Sequence, residues 1–197
     1  MPTVALKANF TKCSLIVPET RCVADLLLAG ISTDEWRQRI EIDNVLQKKT
    51  RNSAITYASL ARSRLMTMDA PLWELVRDGS SPEATDGALA ATIKFSPLFG
   101  QFLSTVVRDC HRRYLTELPA SAWDDYLDDM QRTHSEMPSF NDSTRVKLRQ
   151  NAMRMLQEAG FIESTRHLVL RKRQTEPRVL AYLNEHQEDF VMECIQA

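Results

Sequence analysis

The stretch that most constrains the fold of this chain is residues 141–174, in which the hydrophobic period changes halfway. It opens on short polar side chains that accept hydrogen bonds from the free amides of a first helical turn: Asn141, Asp142 and Ser143. They predict a helix that runs to about Glu158 and is ended by Gly160. One side of this helix is apolar and is expected to pack on a core, with Leu148, Ala152, Met155, Leu156 and Ala159.

The opposite side of the predicted helix is polar and basic. It carries no acidic residue and consists of Ser143, Lys147, Gln150, Arg154 and Gln157. After Gly160 the period changes from helical to two, with apolar residues at 161–162 and 168–170 and a turn at 164–166. This pattern predicts a short β-hairpin directly after the helix.

A helix, a glycine turn and a hairpin that share basic residues are typical of the second half of a winged helix. Residues 143–173 contain eight Lys or Arg residues and two Glu residues, a net charge of +6. In a winged helix the helix lies in the major groove of double-stranded DNA, and the hairpin contacts phosphates beside it. We expect Lys147, Gln150 and Arg154 to face the groove, and the hairpin to hold phosphates through Arg166, Arg171, Lys172 and Arg173. For any one of these residues, a solvated surface position is the alternative.

Charge is segregated along the chain although the net charge is only −1. Residues 116–142 carry −6, directly before the basic block, so a protein of near-neutral charge can still present a basic face. The four cysteines are scattered, which indicates reduced thiols in a cytoplasmic protein. The longest uncharged run, 95–107, has 13 residues, whereas a membrane span needs about 20. We therefore expect no membrane partner.

The first half of the chain is predicted to be all-helical. A helix from Pro18 to Gly30 and a second from Ser32, where Glu35 completes a capping box, form a helical hairpin. Residues 44–68 contain no acidic residue, and their third helix begins near Asn52. Its inward residues are predicted to be Ala54, Ile55, Ala58, Ala61 and Leu65, and its outward residues Thr56, Ser59, Ser63 and Arg64.

The basic loop before this third helix suggests a second nucleic-acid contact. A helix, a turn, a helix and a basic loop are compatible with a helix-turn-helix-like unit. In that interpretation the DNA track is extended by Lys48, Lys49 and Arg51. The alternative is a helical bundle whose basic loop is only solvated.

A break at Leu118 and Pro119 divides the predicted fold. We expect a mainly α protein with two domains: an all-helical domain at 1–117 with a helix-turn-helix-like start, and a winged-helix-like domain at 118–197 that carries one short β-hairpin. The helix after Pro119 projects four carboxylates, Asp124, Asp125, Asp128 and Asp129. They are expected to form a solvated face, or a surface that meets a basic partner, rather than a Mg²⁺ or acid/base site.

The sequence contains no nucleotide-binding glycine loop, no G-x-S-x-G, no H-E-x-x-H and no cysteine or histidine pair at metal-ligand spacing. We therefore expect a binding protein rather than an enzyme, with no catalytic residue, cofactor or metal.

Several stretches resemble the BrxA family of bacteriophage exclusion (BREX) defence systems over nearly the whole chain. They are RCVADLLLAG at 21–30, NVLQK at 44–48, LWELVRDG at 72–79, WDDYL at 123–127, STR at 143–145 and LQEAGFI at 156–162. The resemblance implies a nucleic-acid-binding component of an anti-phage system, with other BREX proteins as partners. Two alternatives stay open: a protein-interaction adaptor within the BREX complex, and an RNA-binding protein.

Overall fold

The computed structural model describes residues 9–135 and 137–197. Residues 1–8 of the first predicted domain and Glu136 of the second lie outside the described residues. The expectation of a mainly helical fold is confirmed. In the first half the helices are α1 (Val17–Leu28), α2 (Thr33–Arg37, continued by a π-helical turn at Gln38–Ile42), α3 (Arg51–Leu65), α4 (Ala70–Asp78) and α5 (Ser81–Phe95).

The helix starts follow from local hydrogen bonding. Ser32 and Glu35 form the predicted capping box, in which each residue accepts a hydrogen bond from the backbone amide of the other. Ser80 and Glu83 repeat this arrangement at α5. Since the free amides of a first turn need acceptors, these side chains fix where both helices begin.

Helix α5 lies at the centre of the molecule and contacts α1, α3, α4, α10 and α11. Its residues are mostly small, which lets neighbouring helices approach closely. At Gly87, for example, an added Cβ would lie 2.7 Å from Cγ2 of Val76 on α4. Such a distance leaves no room for a larger side chain.

The second half contains α6 (Pro97–Phe102), a π-helical turn at Leu103–Val107, α7 (Arg108–Arg112), α8 (Ala122–Thr133), α9 (Asp142–Glu158), α10 (Pro177–Glu185) and α11 (Asp189–Ile195). After α9, Gly160 has a left-handed φ of +80°, and the chain turns back on itself at the position of the predicted hairpin. In the described residues this hairpin forms no regular strand and is held by an isolated bridge between Ile162 and Leu170. Residues 116–118 add a third antiparallel arm, because Glu117 pairs with Val169 on the other side of the hairpin.

One cluster of buried side chains extends from Phe10 to Ile195. The division after residue 117 stays a prediction, and the pairing of Glu117 with Val169 crosses it. Within the described residues, no helix is both long enough and apolar enough to cross a membrane.

The segment before α1 joins the two halves of the chain. Asn151 of α9 donates to the carbonyl of Phe10 at 2.8 Å. Glu158, at the end of α9, accepts from the hydroxyl of Ser14 at 2.6 Å and from the amide of Leu15 at 2.8 Å. The orientation of α9 is therefore fixed partly by chain that lies more than 140 residues earlier.

The predicted outward position of Arg64 on α3 is wrong. Its side chain is buried, and its Nη1 donates to the carbonyls of Ser14 at 2.6 Å and Leu15 at 3.3 Å. Burial lowers the pKa of Arg64 to about 10. Arg64 of α3 and Glu158 of α9 therefore both bind the segment that contains Ser14 and Leu15.

Candidate nucleic-acid interface

Helix α9 forms as its sequence predicts. The side chain of Asn141 accepts from the amide of Thr144 at 2.9 Å and caps the helix. All five residues of the predicted apolar stripe are buried, whereas Lys147, Gln150 and Arg154 are exposed. The three residues expected to face DNA therefore lie together on the solvent side of one helix.

A groove of about 380 Å³ separates this side of α9 from the turn of the hairpin. Its lining combines polar and apolar side chains: Val146, Arg149, Gln150, Met153, Arg154, Thr165 and Leu168. Val146 is 53% exposed although it is apolar. Four residues of the lining were not predicted as contact residues: Val146, Met153, Thr165 and Leu168. The one signal in the sequence was Val146, an apolar residue on an otherwise polar face of the helix.

Two cations of the basic block bind helix α8 rather than facing solvent freely. Arg145 lies 2.6 Å from Asp128, and Arg149 lies 3.3 Å from Asp124 and also donates to the carbonyl of Ala120. These pairs connect the acidic and the basic block of the sequence. They reduce the free positive charge of the surface, and they hold α8 against α9.

The hairpin contains both free and paired cations. Arg166 and Lys172 are exposed, whereas Arg171 lies 3.0 Å from Glu163 on the opposite arm. Arg173 is different, because its side chain is only 11% exposed and forms an ion pair with Asp86 of α5. The guanidinium also stacks over the ring of Phe161 and donates to the carbonyl of Ile195.

The Asp86–Arg173 pair anchors the second arm of the hairpin to the central helix. Burial raises the pKa of Asp86 and lowers the pKa of Arg173, and in each case the partner's charge opposes the shift. Asp86 also accepts from the amide of Glu176 at 2.7 Å. Arg173 is therefore a structural residue of the hairpin base, and its side chain is not presented to a phosphate.

Two of the three predicted residues of the N-terminal loop have partners within the first half of the chain. Lys48 pairs with Glu19 and lies 4.4 Å from the ring centroid of Tyr57, and Arg51 pairs with Glu41. Lys49 is exposed. Among the described residues, no hydrogen bond or ion pair joins any of the three to α9 or the hairpin.

Four cations of the basic block have no ion-pair partner in the described part of the chain: Lys147, Arg154, Arg166 and Lys172. Two lie on α9 and two on the hairpin, and of the four Arg154 lines the groove. Burial of the His111 ring lowers the pKa of His111, and the nearby charge of Lys172 lowers it further. Exposed cations on two neighbouring elements can bind a polyanion without any covalent chemistry.

Within the described residues, no group of three His, Cys, Asp or Glu side chains is placed to hold a metal ion. The four cysteines are free thiols. The groove presents basic and amide side chains, which donate hydrogen bonds, beside apolar side chains.

Comparisons with known proteins give consistent results. A family model described as BrxA matches residues 6–187. A relative from Paramagnetospirillum magneticum, named BREX protein BrxA, is 42% identical over 190 residues, which cover 96% of each chain. A second protein of that name, from Escherichia coli O9:H4, is 32% identical and covers 90% of this chain and 84% of its own. A crystal structure of an uncharacterized protein from Magnetospirillum magneticum has a TM-score of 0.90 at 41% identity and covers 98% of this chain and 99% of its own.

Proposed function

The chain belongs to the BrxA family, and from that premise we propose that it is a non-enzymatic component of a BREX phage-defence system that binds double-stranded DNA, mainly through phosphates. The observation that carries this proposal is that exposed cations without an ion-pair partner in the described part of the chain lie on both α9 and the hairpin, the two elements that border the groove. Other BREX proteins are the expected protein partners.

The order of elements around the groove supports the proposal. Helices α6 and α7 precede the arm at 116–118, which is followed by α8, α9 and the two arms of the hairpin. The same order is typical of winged-helix proteins, and we infer from it that α9 corresponds to their helix that enters the major groove. The exposed face of α9 is the one that carries Lys147, Gln150 and Arg154.

The distribution of charge supports contacts to phosphate on this face. Exposed Lys and Arg side chains that lack a carboxylate partner lose no ion pair when they bind a phosphate. Lys147, Arg154, Arg166 and Lys172 meet this condition, whereas Arg173, Lys48 and Arg51 do not. Lys49 also meets this condition, but the other two predicted cations of its loop are paired with carboxylates. We therefore place the proposed DNA surface on the first four residues and on Gln150.

The test is a titration of the full chain against a fluorescent duplex of about 20 base pairs over a series of salt concentrations. Each phosphate contact contributes about 0.9 to the slope of log K against log salt. A variant with glutamine at Lys147, Arg154, Arg166 and Lys172 is expected to flatten the slope by up to about 3.6, which corresponds to four lost contacts.

Arg145→Gln is the matched control, because it removes one positive charge that already pairs with Asp128. We expect its slope to stay within experimental error of the unmodified chain. A fourfold variant with an unchanged slope excludes this surface as the DNA site. A loss of about 0.9 in the control, which equals the loss per charge in the fourfold variant, attributes the effect to net charge alone.

The two alternatives are distinguished by the same protein preparation. Competition with duplex RNA of equal length separates RNA binding from DNA binding, since a basic surface attracts both polyanions. Co-purification with other BREX proteins, without retention of DNA at physiological salt, favours an adaptor.

A further inference from the structure

A second groove lies on the side of α8 that faces away from α9. It has a volume of about 440 Å³ and lies between α8 and the helical stretch from the π-helical turn to the end of α7. Its floor is apolar and consists of Val106, Cys110, Leu115, Ala122, Tyr126 and Met130. None of these side chains takes part in the proposed DNA surface.

The four aspartates of α8 divide between two faces. Asp124 and Asp128 point to α9, where they bind Arg149 and Arg145. Asp125 and Asp129 line the second groove. Because neighbours on a helix are turned by about 100°, each Asp-Asp pair supplies one carboxylate to each face. Asp124 and Asp128 therefore have partners on α9, whereas Asp125 and Asp129 have none there.

The rim of this groove is mainly acidic. Asp109 on α7 faces Asp125 and Asp129 across the groove. Asp109 and Asp129 form exposed pairs with Arg113 at 3.5 Å and Arg132 at 2.5 Å, and Asp125 has no ion-pair partner in the described part of the chain. Exposed pairs of this kind contribute little stability, so both aspartates can exchange to an incoming cation.

An exposed aromatic residue, Tyr114, lies in the chain between Arg113 and Leu115, which both line the groove. Tyr114 is 89% exposed and has a left-handed φ of +56°. The amide of Tyr114 donates to His111 and the amide of Leu115 to Cys110, both at 3.0 Å, which is the helix-ending motif that normally places glycine at this position. A tyrosine here adds backbone strain and buries almost no ring surface, so folding does not account for it.

We propose that this groove binds a basic amphipathic helix of a partner protein. The floor follows α8 from Ala122 to Met130, about 12 Å at 1.5 Å per residue, which matches about two turns of a bound helix. Apolar side chains of the partner at i, i+3 or i+4 and i+7 would enter the floor. Its Lys or Arg residues would meet Asp109, Asp125 and Asp129, and Tyr114 would pack on it from the side.

The experiment uses the full chain and a yeast-displayed library of short helices with fixed apolar positions and polar positions randomised over Lys, Glu, Gln and Ser. We expect Lys to be enriched at the polar positions. Thr105→Trp, which fills the groove from an exposed position, is expected to abolish binding of the enriched helix. Tyr114→Gly and Asp125→Lys are each expected to weaken it at least about tenfold, as for an interface hot spot.

Controls separate binding from folding and from net charge. Tyr114→Gly is expected to melt no lower than the unmodified chain, because glycine suits the left-handed backbone. Asp34→Lys makes the same charge change at an exposed residue of α2, away from the groove, and is expected to leave binding unchanged. Duplex DNA binding is expected to be equal in Tyr114→Gly and the unmodified chain.

Several outcomes overturn the proposal. They are enrichment of acidic helices, no enrichment at all, and binding that Thr105→Trp does not affect. A dimer of the full chain that Thr105→Trp dissociates in sedimentation experiments would make a second copy the occupant and would equally exclude a partner helix.

Discussion

The ion pair between Asp86 and Arg173 is the contact that fixes the hairpin to the centre of the fold. We predict that Asp86→Ala lowers the free energy of unfolding by about 3–5 kcal/mol, the range for removing one partner of a buried pair. The Arg173 side chain, 11% exposed, then lacks a carboxylate. The amide of Glu176, which donates to Asp86 at 2.7 Å, also loses its acceptor.

For a chain of 197 residues, a loss of 1 kcal/mol lowers Tm by about 2–4 °C, so the expected decrease is about 6–20 °C. Urea unfolding followed by circular dichroism measures the free energy directly. Hydrogen exchange adds a local measurement at the amide of Arg171, which donates to the carbonyl of Phe161 at 2.9 Å. We expect this amide to lose more protection than amides in α3.

A double variant, Asp86→Leu with Arg173→Met, is the control for this prediction. It removes both charges and keeps apolar volume, so we expect its stability to return to within about 1 kcal/mol of the unmodified chain or to exceed it. The reasoning is refuted if Asp86→Ala costs less than about 1 kcal/mol, or if the double variant is as unstable as the single one.

Three further predictions concern helix ends and close packing. Gly160→Ala is expected to cost about 1–2 kcal/mol in urea unfolding, because φ at this position is +80°. Gly87→Ala is expected to cost about 1–3 kcal/mol and to lower Tm, because its Cβ would lie 2.7 Å from Cγ2 of Val76. The amide of Ser80 lowers the pKa of Glu83 below 4.5, so the stability that Glu83 adds is complete above that pH and is lost as the pH falls through the lowered pKa. When the free energy of unfolding is measured at decreasing pH, Glu83→Gln is expected to lose less stability than the unmodified chain.

The helix α9 and the hairpin could be predicted from the sequence because their signals are local. The cap at Asn141, the apolar stripe and Gly160 all lie within the element that they determine. The same holds for the capping box of Ser32 and Glu35. Where neighbours in sequence decide the conformation, periodicity and end signals suffice.

The free charge of the surface could not be predicted in this way. The net charge of the basic block counts Arg145, Arg149 and Arg173 in full, yet each of them binds an aspartate from another helix. Arg64 shows the same effect, since its acceptors lie about 50 residues earlier in the chain. Sequence position alone does not show which cations face solvent.

The two grooves could not be predicted from the sequence either, for a related reason. Each is lined by residues from elements that lie apart in the chain, such as Thr165 beside Gln150 or Leu115 beside Met130. The arm at 116–118 is recognisable only through its pairing with the hairpin. The four aspartates of α8 were visible in the sequence, but their division between two faces depends on what packs on each side.

The segment at 10–15 has a consequence for how the molecule comes apart. This irregular segment forms hydrogen bonds with Arg64 in the first half of the chain and with Asn151 and Glu158 in the second half. If either half unfolds locally, the segment loses hydrogen bonds on that side, and its contacts with the other half are weakened as well. We therefore expect denaturation as a single cooperative transition, and protease fragments cut near residue 117 that stay associated until both melt.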